Sequence, residues 1–144
     1  MNTKGIFSKE SDEWATPKDL FYKLHHQYHF TLDPCSTDEN ALCLKHYTKS
    51  ENGLLQSWKN ETVFCNPPYS EVKKWVKKAS EEKADTIMLI PARTDTKWFH
   101  EFIYNNPNVT ISFLKGRLKF GDAKNSAPFP SMLVGFWNKE EYEL

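Results

Sequence analysis

Residues Thr62–Trp75 read TVFCNPPYSEVKKW. A short apolar run leads into Asn66-Pro67-Pro68-Tyr69, and then Val72, Trp75, Val76 and Ala79 recur at helical spacing. The run predicts a strand over 62–65. The spacing predicts a helix capped by Ser70, with Lys73, Lys74, Lys77 and Lys78 largely outward. Two prolines therefore stand where strand turns into helix. Each lacks an N–H and biases the residue before it toward extended backbone, so Asn66 and Pro67 present carbonyls with few local donors to satisfy them. Asn66 adds its side-chain oxygen, and Tyr69 adds an aromatic face. Such a turn suits a planar amine: an NH2 group has two donors, which Asn66 Oδ1 and the Pro67 carbonyl accept while Tyr69 stacks on the ring that bears it. The chemistry served is alkylation of an exocyclic amine whose lone pair is delocalised into its ring, by orientation and preorganised electrostatics.

Upstream, Thr16 is expected to cap a helix that starts at Pro17, carries Asp19 near its positive end, and buries Leu20, Phe21, Leu24 and Tyr28. Phe30–Asp33 reads as a short strand running into Pro34, and residues 35–59 carry a weak pattern with a short helix around Asn40–Leu44. Downstream, Thr86–Ile90 (TIMLI) is continuously apolar, the pattern of a strand buried on both faces of a parallel sheet. Asp95 or Thr96 caps a helix on Trp98, Phe99, Phe102 and Ile103, ended by Asn105-Asn106-Pro107. Val109–Leu114 and Met132–Trp137 are the last two strands. The expected architecture is α/β, a mostly parallel sheet with helices on both faces and a terminal strand pair. Ligands of such sheets bind beyond the carboxyl ends of the strands. Three segments follow strands there: Asp33-Pro34-Cys35-Ser36, Asn66-Pro67-Pro68-Tyr69, and Pro91-Ala92-Arg93-Thr94-Asp95.

The 144 residues suit one domain over 14–144, with 1–13 as a loose arm. No apolar run nears the ~20 residues of a membrane span and no signal segment opens the chain, so a soluble cytoplasmic protein is expected. Three cysteines without a regular framework argue against a secreted disulfide scaffold. Cys35, Cys43 and His46 lack a fourth ligand at a recognised spacing, and no metal is expected. The 19 basic and 19 acidic residues cancel, so total charge announces no polyanionic partner. Lys115, Arg117, Lys119 and Lys124 nevertheless share one late segment whose sole acid is Asp122, either a basic face or a solvated loop.

The Asn-Pro-Pro-Tyr turn resembles the motif of amino-group methyltransferases that use S-adenosylmethionine. The ordered set WATP, LDPCS, NGLLQSW, VFCNPPYS, PARTDTKWFH and GRLKF…APFPSMLVGF resembles the small phage and prophage DNA adenine methyltransferases (phage Dam), from about Trp14 to Phe136. The resemblance implies a Rossmann-like methyltransferase fold, S-adenosylmethionine as cofactor, and DNA as the partner methylated on the N6 amine of adenine. It casts Asn66, Pro67, Pro68 and Tyr69 as catalytic. Asp33, Pro34 and Cys35 become the start of the cofactor motif, Thr16 and Pro17 with the nearby Trp14 touch the methionine end, and Asn52 and Leu54 lie where relatives contact the cofactor adenine.

The chain departs from the pattern at Ser36-Thr37-Asp38, where a glycine-rich turn is usual, and at Asn52, where an aspartate is usual. Asp38 and Glu39 are candidates for holding the ribose. For DNA, the expected contacts are Arg93, Lys115, Arg117, Lys119 and Phe129, the cations gripping phosphate and fixing register. Helix capping and core packing explain Arg93, Asp95 and Trp98 about as well, and Phe129 between its prolines is equally a wedge near the base or hydrophobic cover. Two other readings of the chain stay open: a noncatalytic DNA-binding or inhibitor module, and a methyltransferase acting on protein glutamine.

Overall fold

In the computed structural model, which describes residues 15–121 and 126–140, the chain opens with helix α1, Lys18–Tyr28. Strand β1, Thr62–Cys65, passes through a 3-10 turn at Tyr69–Glu71 into helix α2, Val72–Glu81, and then strand β2, Asp85–Pro91. A π-helical turn, Phe99–Ile103, precedes strands β3, Val109–Phe113, and β4, Ser131–Trp137. The sheet order is β1-β2-β4-β3.

β1 and β2 pair in parallel, whereas β2–β4 and β3–β4 are antiparallel. The terminal strand pair forms as expected. A mostly parallel sheet does not: the four named strands make a mixed sheet in which antiparallel pairing prevails. The reason lies in what an apolar run records. β2 is buried along nearly its whole length because both faces are covered, and that burial leaves no mark of the direction in which its neighbour runs. β4 returns from β3 and inserts beside β2, setting the direction through tertiary structure. On the far side of β1 the parallel half is extended by a single bridge, Leu32 to Val63, where the Phe64 N–H donates to the Leu32 carbonyl at 3.0 Å.

Alternation along the strands supplies two cores. Val63, Cys65, Met88 and Ile90 face α2 and pack with Val72, Trp75, Val76 and Phe99. Phe64, Ile87 and Leu89 face α1 and pack with Phe21, Phe30, Phe120 and Phe129. Helices thus cover both faces, each buried large side chain contributing roughly 1.5–3 kcal/mol of transfer free energy.

The helix ends differ from the sequence reading. Pro17, rather than Thr16, occupies the N-cap of α1, and no side-chain cap bond is made. Glu71 rather than Ser70 precedes α2, after a 3-10 turn in which the Glu71 N–H donates to the Pro68 carbonyl at 3.0 Å. Of the two candidates at the third helix, Thr96 accepts from the Phe99 N–H at 3.3 Å, and the helix is a brief one that widens into the π turn. No helix forms around Asn40–Leu44; the Leu42 N–H donates to the Asp33 carboxylate instead of to a helical carbonyl. Among the described residues, no helix is long and apolar enough to cross a membrane.

Candidate active site

Because Leu32, β1 and β2 run in parallel, Asp33, Asn66 and Ala92 leave the sheet at the same edge. β4 runs the other way and begins there. Ser131 pairs with Pro91, and the Ala92 N–H donates to the Pro130 carbonyl at 2.9 Å, which delivers Phe129 to the same place. The three expected segments are brought together, joined by a fourth from the β3–β4 loop.

At one end of this edge Asn66 is half-buried, and its Nδ2 donates to Thr16 Oγ1 at 2.9 Å. In this bond the amide nitrogen lies toward Thr16 and the carbonyl oxygen away from it. Pro67 is buried and Pro68 half-buried. Tyr69 packs against both cores, so its ring caps the end of the sheet between the two layers. Phe129, 8% exposed, meets that ring edge-on, with centroids 4.7 Å apart and planes at 90°, and Phe120 lies behind it at 6.1 Å. Packed on Tyr69, Phe129 is compatible with both of its readings, as cover and as a wedge beside a base. Burial pushes the Tyr69 phenol well above its usual pKa against an opposing pull from Arg93, so the ring is a neutral aromatic surface at physiological pH. Tyr69, Ser70, Val72, Pro91, Arg93, Thr96 and Trp98 line a cleft of about 400 Å³, within the ~300–1,000 Å³ of small-molecule sites.

The other end is built differently. Asp33 is 4% exposed; its Oδ1 accepts from the Cys35 N–H at 3.4 Å and its Oδ2 from the Leu42 N–H at 3.1 Å. Burial pushes the carboxyl up to about 6, although these donors and the nearby His46 pull it down. The Ser36 hydroxyl is buried close to Asp33 but not placed for a hydrogen bond. Pro34 is buried and touches Gly53 so closely that a Cβ at Gly53 would overlap the Pro34 carbonyl oxygen. The glycine absent after Pro34-Cys35 is thus answered by a glycine from another segment. Asn52, at φ 57°, uses its Oδ1 to accept from the Leu54 N–H at 3.1 Å, and Leu54 packs against the α2-side core. The exposed Asp38 is held by His46 at 2.9 Å, while Glu39 is exposed. Burial pushes the Cys43 thiol up to about 12 and the Cys65 thiol well above its ordinary value, so both stay protonated.

In the β3–β4 loop, Lys115, Arg117 and Lys119 are exposed while Leu118 and Phe120 turn inward. The Ala127 N–H donates to the Leu118 carbonyl at 2.8 Å, and the Gly121 N–H to the Ala15 carbonyl at 2.9 Å, laying the loop beside Thr16. Arg93 is exposed at the cleft. Trp14, Lys124 and the arm over 1–13 lie outside the described residues. The sequence reading missed the Thr16–Asn66 bond and the Phe129–Tyr69 contact, which span 50 and 60 positions; a local pattern carries no signal for either.

An α/β sheet that brings an Asn-Pro-Pro-Tyr turn and a buried aspartate to one edge, with a cleft of ligand size beside Tyr69, is the arrangement that the resemblance to methyltransferases implies. Comparison with known proteins gives the family. The model of DNA N-6-adenine-methyltransferase (Dam) matches residues 4–139, and the chain belongs to that family. It is 39% identical over 95 residues to a DNA N-6-adenine-methyltransferase of Escherichia phage T1, a match covering 62% of this chain and 40% of that protein. It is 28% identical over 154 aligned positions to a DNA N-6-adenine-methyltransferase of Haemophilus phage HP1 (strain HP1c1), covering 99% of this chain and 88% of that protein.

Proposed function

We propose that the protein transfers a methyl group from S-adenosylmethionine to the N6 amine of adenine in DNA, within the cytoplasm of a bacterial host. The observation that carries this reading, beside the family, is the fixed Asn66 amide next to the braced Tyr69 ring. With Nδ2 given to Thr16, Asn66 Oδ1 and the Pro67 carbonyl accept the two N–H bonds of the amine. These acceptors draw the nitrogen toward tetrahedral geometry and aim its lone pair, so catalysis rests on orientation and electrostatic preorganisation. No strong base is needed, since the nucleophile is a neutral amine and its proton leaves to water after the N–C bond has formed.

The residues fit the cofactor. Asp33 is a carboxylate that burial makes costly to ionise, and an incoming cation relieves that cost. Ser36 adds a buried hydroxyl beside it. When bound, S-adenosylmethionine supplies an electrophilic methyl carbon on a positively charged sulfur that departs as a thioether. Asp33, Pro34, Cys35 and Ser36 would hold it, together with Thr16, Pro17, Asn52 and Leu54 and, by resemblance, Trp14.

Adenine inside a duplex must be flipped out before its N6 can be reached. Stacking on Tyr69 offsets part of that cost, ~1–3 kcal/mol for a base on an aromatic ring. Arg93, Lys115, Arg117 and Lys119 grip the phosphates around it. The test is incubation with tritiated S-adenosylmethionine and mixed-sequence DNA, followed by digestion to nucleosides. Label is expected in N6-methyladenine; label confined to protein or RNA overturns the proposal.

A further inference from the structure

The resemblance gives Thr16 one duty, contact with the methionine end of the cofactor. The geometry points to another: we infer that Thr16 is a positioning residue that holds the Asn66 amide in the orientation that meets the adenine amine. The inference rests on the proposed function and deepens it.

An asparagine amide has two ends of similar shape and opposite chemistry. Facing the adenine amine, its oxygen accepts; rotated by half a turn, its NH2 meets another NH2, and donor opposes donor. Asn66 therefore needs a neighbour that holds the amide against rotation. The prolines beside it contribute no N–H. In the structure the neighbour is Thr16, whose Oγ1 accepts from Asn66 Nδ2 at 2.9 Å across 50 residues of sequence, with both side chains half-buried. Thr16 is released for this role because Pro17 takes the N-cap of α1 and no side-chain cap bond is made. Its backbone is held from the far side, since Gly121 N–H donates to the carbonyl of the adjacent Ala15 at 2.9 Å. Thr16 is thus pinned between helix α1 and the β3–β4 loop, with its hydroxyl directed at the catalytic amide.

A pure cofactor contact and a positioning residue behave differently on substitution. Thr16→Val keeps the shape and removes the acceptor; Thr16→Ser keeps the acceptor. In single-turnover methylation of DNA at saturating S-adenosylmethionine, Thr16→Val is expected to lose roughly 10²-fold in rate, the scale of a misaligned reacting group. Thr16→Ser should return to within a few-fold of wild type. Calorimetry gives the cofactor Kd of each variant, and the rate lost in Thr16→Val should persist at cofactor concentrations far above that Kd. An unchanged rate in Thr16→Val, or a lost rate wholly restored by raising cofactor concentration, overturns the inference.

A second measurement needs no turnover. The Asn66 side-chain NH2 signals, assigned by their absence in Asn66→Ala, should exchange with water faster in Thr16→Val than in wild type or Thr16→Ser; equal exchange in all three overturns the bond's ordering role. Should Thr16→Val fail to fold, the comparison moves to Asn66→Asp, read through its cofactor-bound NMR spectrum and its rate. Both carboxylate oxygens accept, so adding Thr16→Ala to that background should cost far less rate than Thr16→Ala alone, and an equal cost overturns the inference. A wild-type protein that leaves DNA unlabelled while Asn66 exchange still responds to Thr16 refutes the proposed function and spares the positioning.

Discussion

The two ends of the site are stiffened by opposite means. At the amine end, prolines remove backbone donors, and two side chains, Thr16 and Phe129, brace Asn66 and Tyr69. At the donor end, an aspartate gathers backbone donors: Asp33 ties together residues 33, 35, 42, 45 and 47, and Gly53 lets the 52–54 turn press against Pro34. One end is stiffened by prolines and a side-chain brace, the other by a carboxylate that gathers backbone donors. If the proposed roles hold, the difference makes chemistry and cofactor capture separable, and substitution should be able to part them.

The largest parting is expected of Asn66→Ala. Loss of the amide acceptor should lower the methylation rate by ~10³-fold, the scale for removing one preorganised group, while calorimetry finds cofactor affinity near that of wild type. A variant that keeps most of its rate would remove Asn66 from the mechanism. Gly53→Ala strikes the other end. Its added methyl has no room beside the Pro34 carbonyl, so overpacking should cost about 3 kcal/mol, seen as a Tm lower by roughly 10 °C together with weaker cofactor binding. An unchanged Tm would show that the 33–36 loop yields.

Acidity gives a finer comparison. The Asp33 carboxyl lies near 6 in the fold against an ordinary 3.8, so the native state holds its proton more tightly than the unfolded chain. Its contribution to stability is therefore fully present below about pH 4 and is lost as pH rises through 6, opposite to the usual carboxylate. A cationic ligand prefers the ionised form, so affinity for S-adenosylmethionine should rise about tenfold from pH 5 to 7 and level off above. Asp33→Asn should flatten both trends, and a persistent slope would assign the titration elsewhere. The smallest effects belong to the β3–β4 loop. Alanine at Lys115, Arg117 or Lys119 should each lower the slope of log affinity against log salt by up to ~1, with the cofactor affinity untouched.

The amine end was far more legible in the sequence than the frame around it. Pro67 and Pro68 act through fixed local rules, so the turn, the helix behind it and the shared edge of Asp33, Asn66 and Arg93 could be read from short windows. Strand direction could not. TIMLI is apolar because both faces are covered, and it reads alike whether β4 runs with it or against it. Capping failed at Thr16 and Ser70 for a related reason. A hydroxyl before a helix is a local signal, but the partner that Thr16 actually takes arrives from 50 residues away. The expected helix around Asn40–Leu44 lost to a distant carboxylate in the same manner, when Asp33 claimed the Leu42 N–H. Phe129 could be named but not oriented, since its flanking prolines say nothing about Tyr69.

The backbone bond from Ala127 to the Leu118 carbonyl joins the two sides of the β3–β4 loop. Chain inserted between those two residues would pay mainly ring-closure entropy, about 0.6 kcal/mol for each doubling of loop length, and would leave the sheet register and the Phe129 brace in place. The loop is therefore a graft point. A base-reading hairpin spliced there would be held beside the flipped adenine by anchors the fold already provides, making sequence preference something that can be added to this scaffold without rebuilding its chemistry.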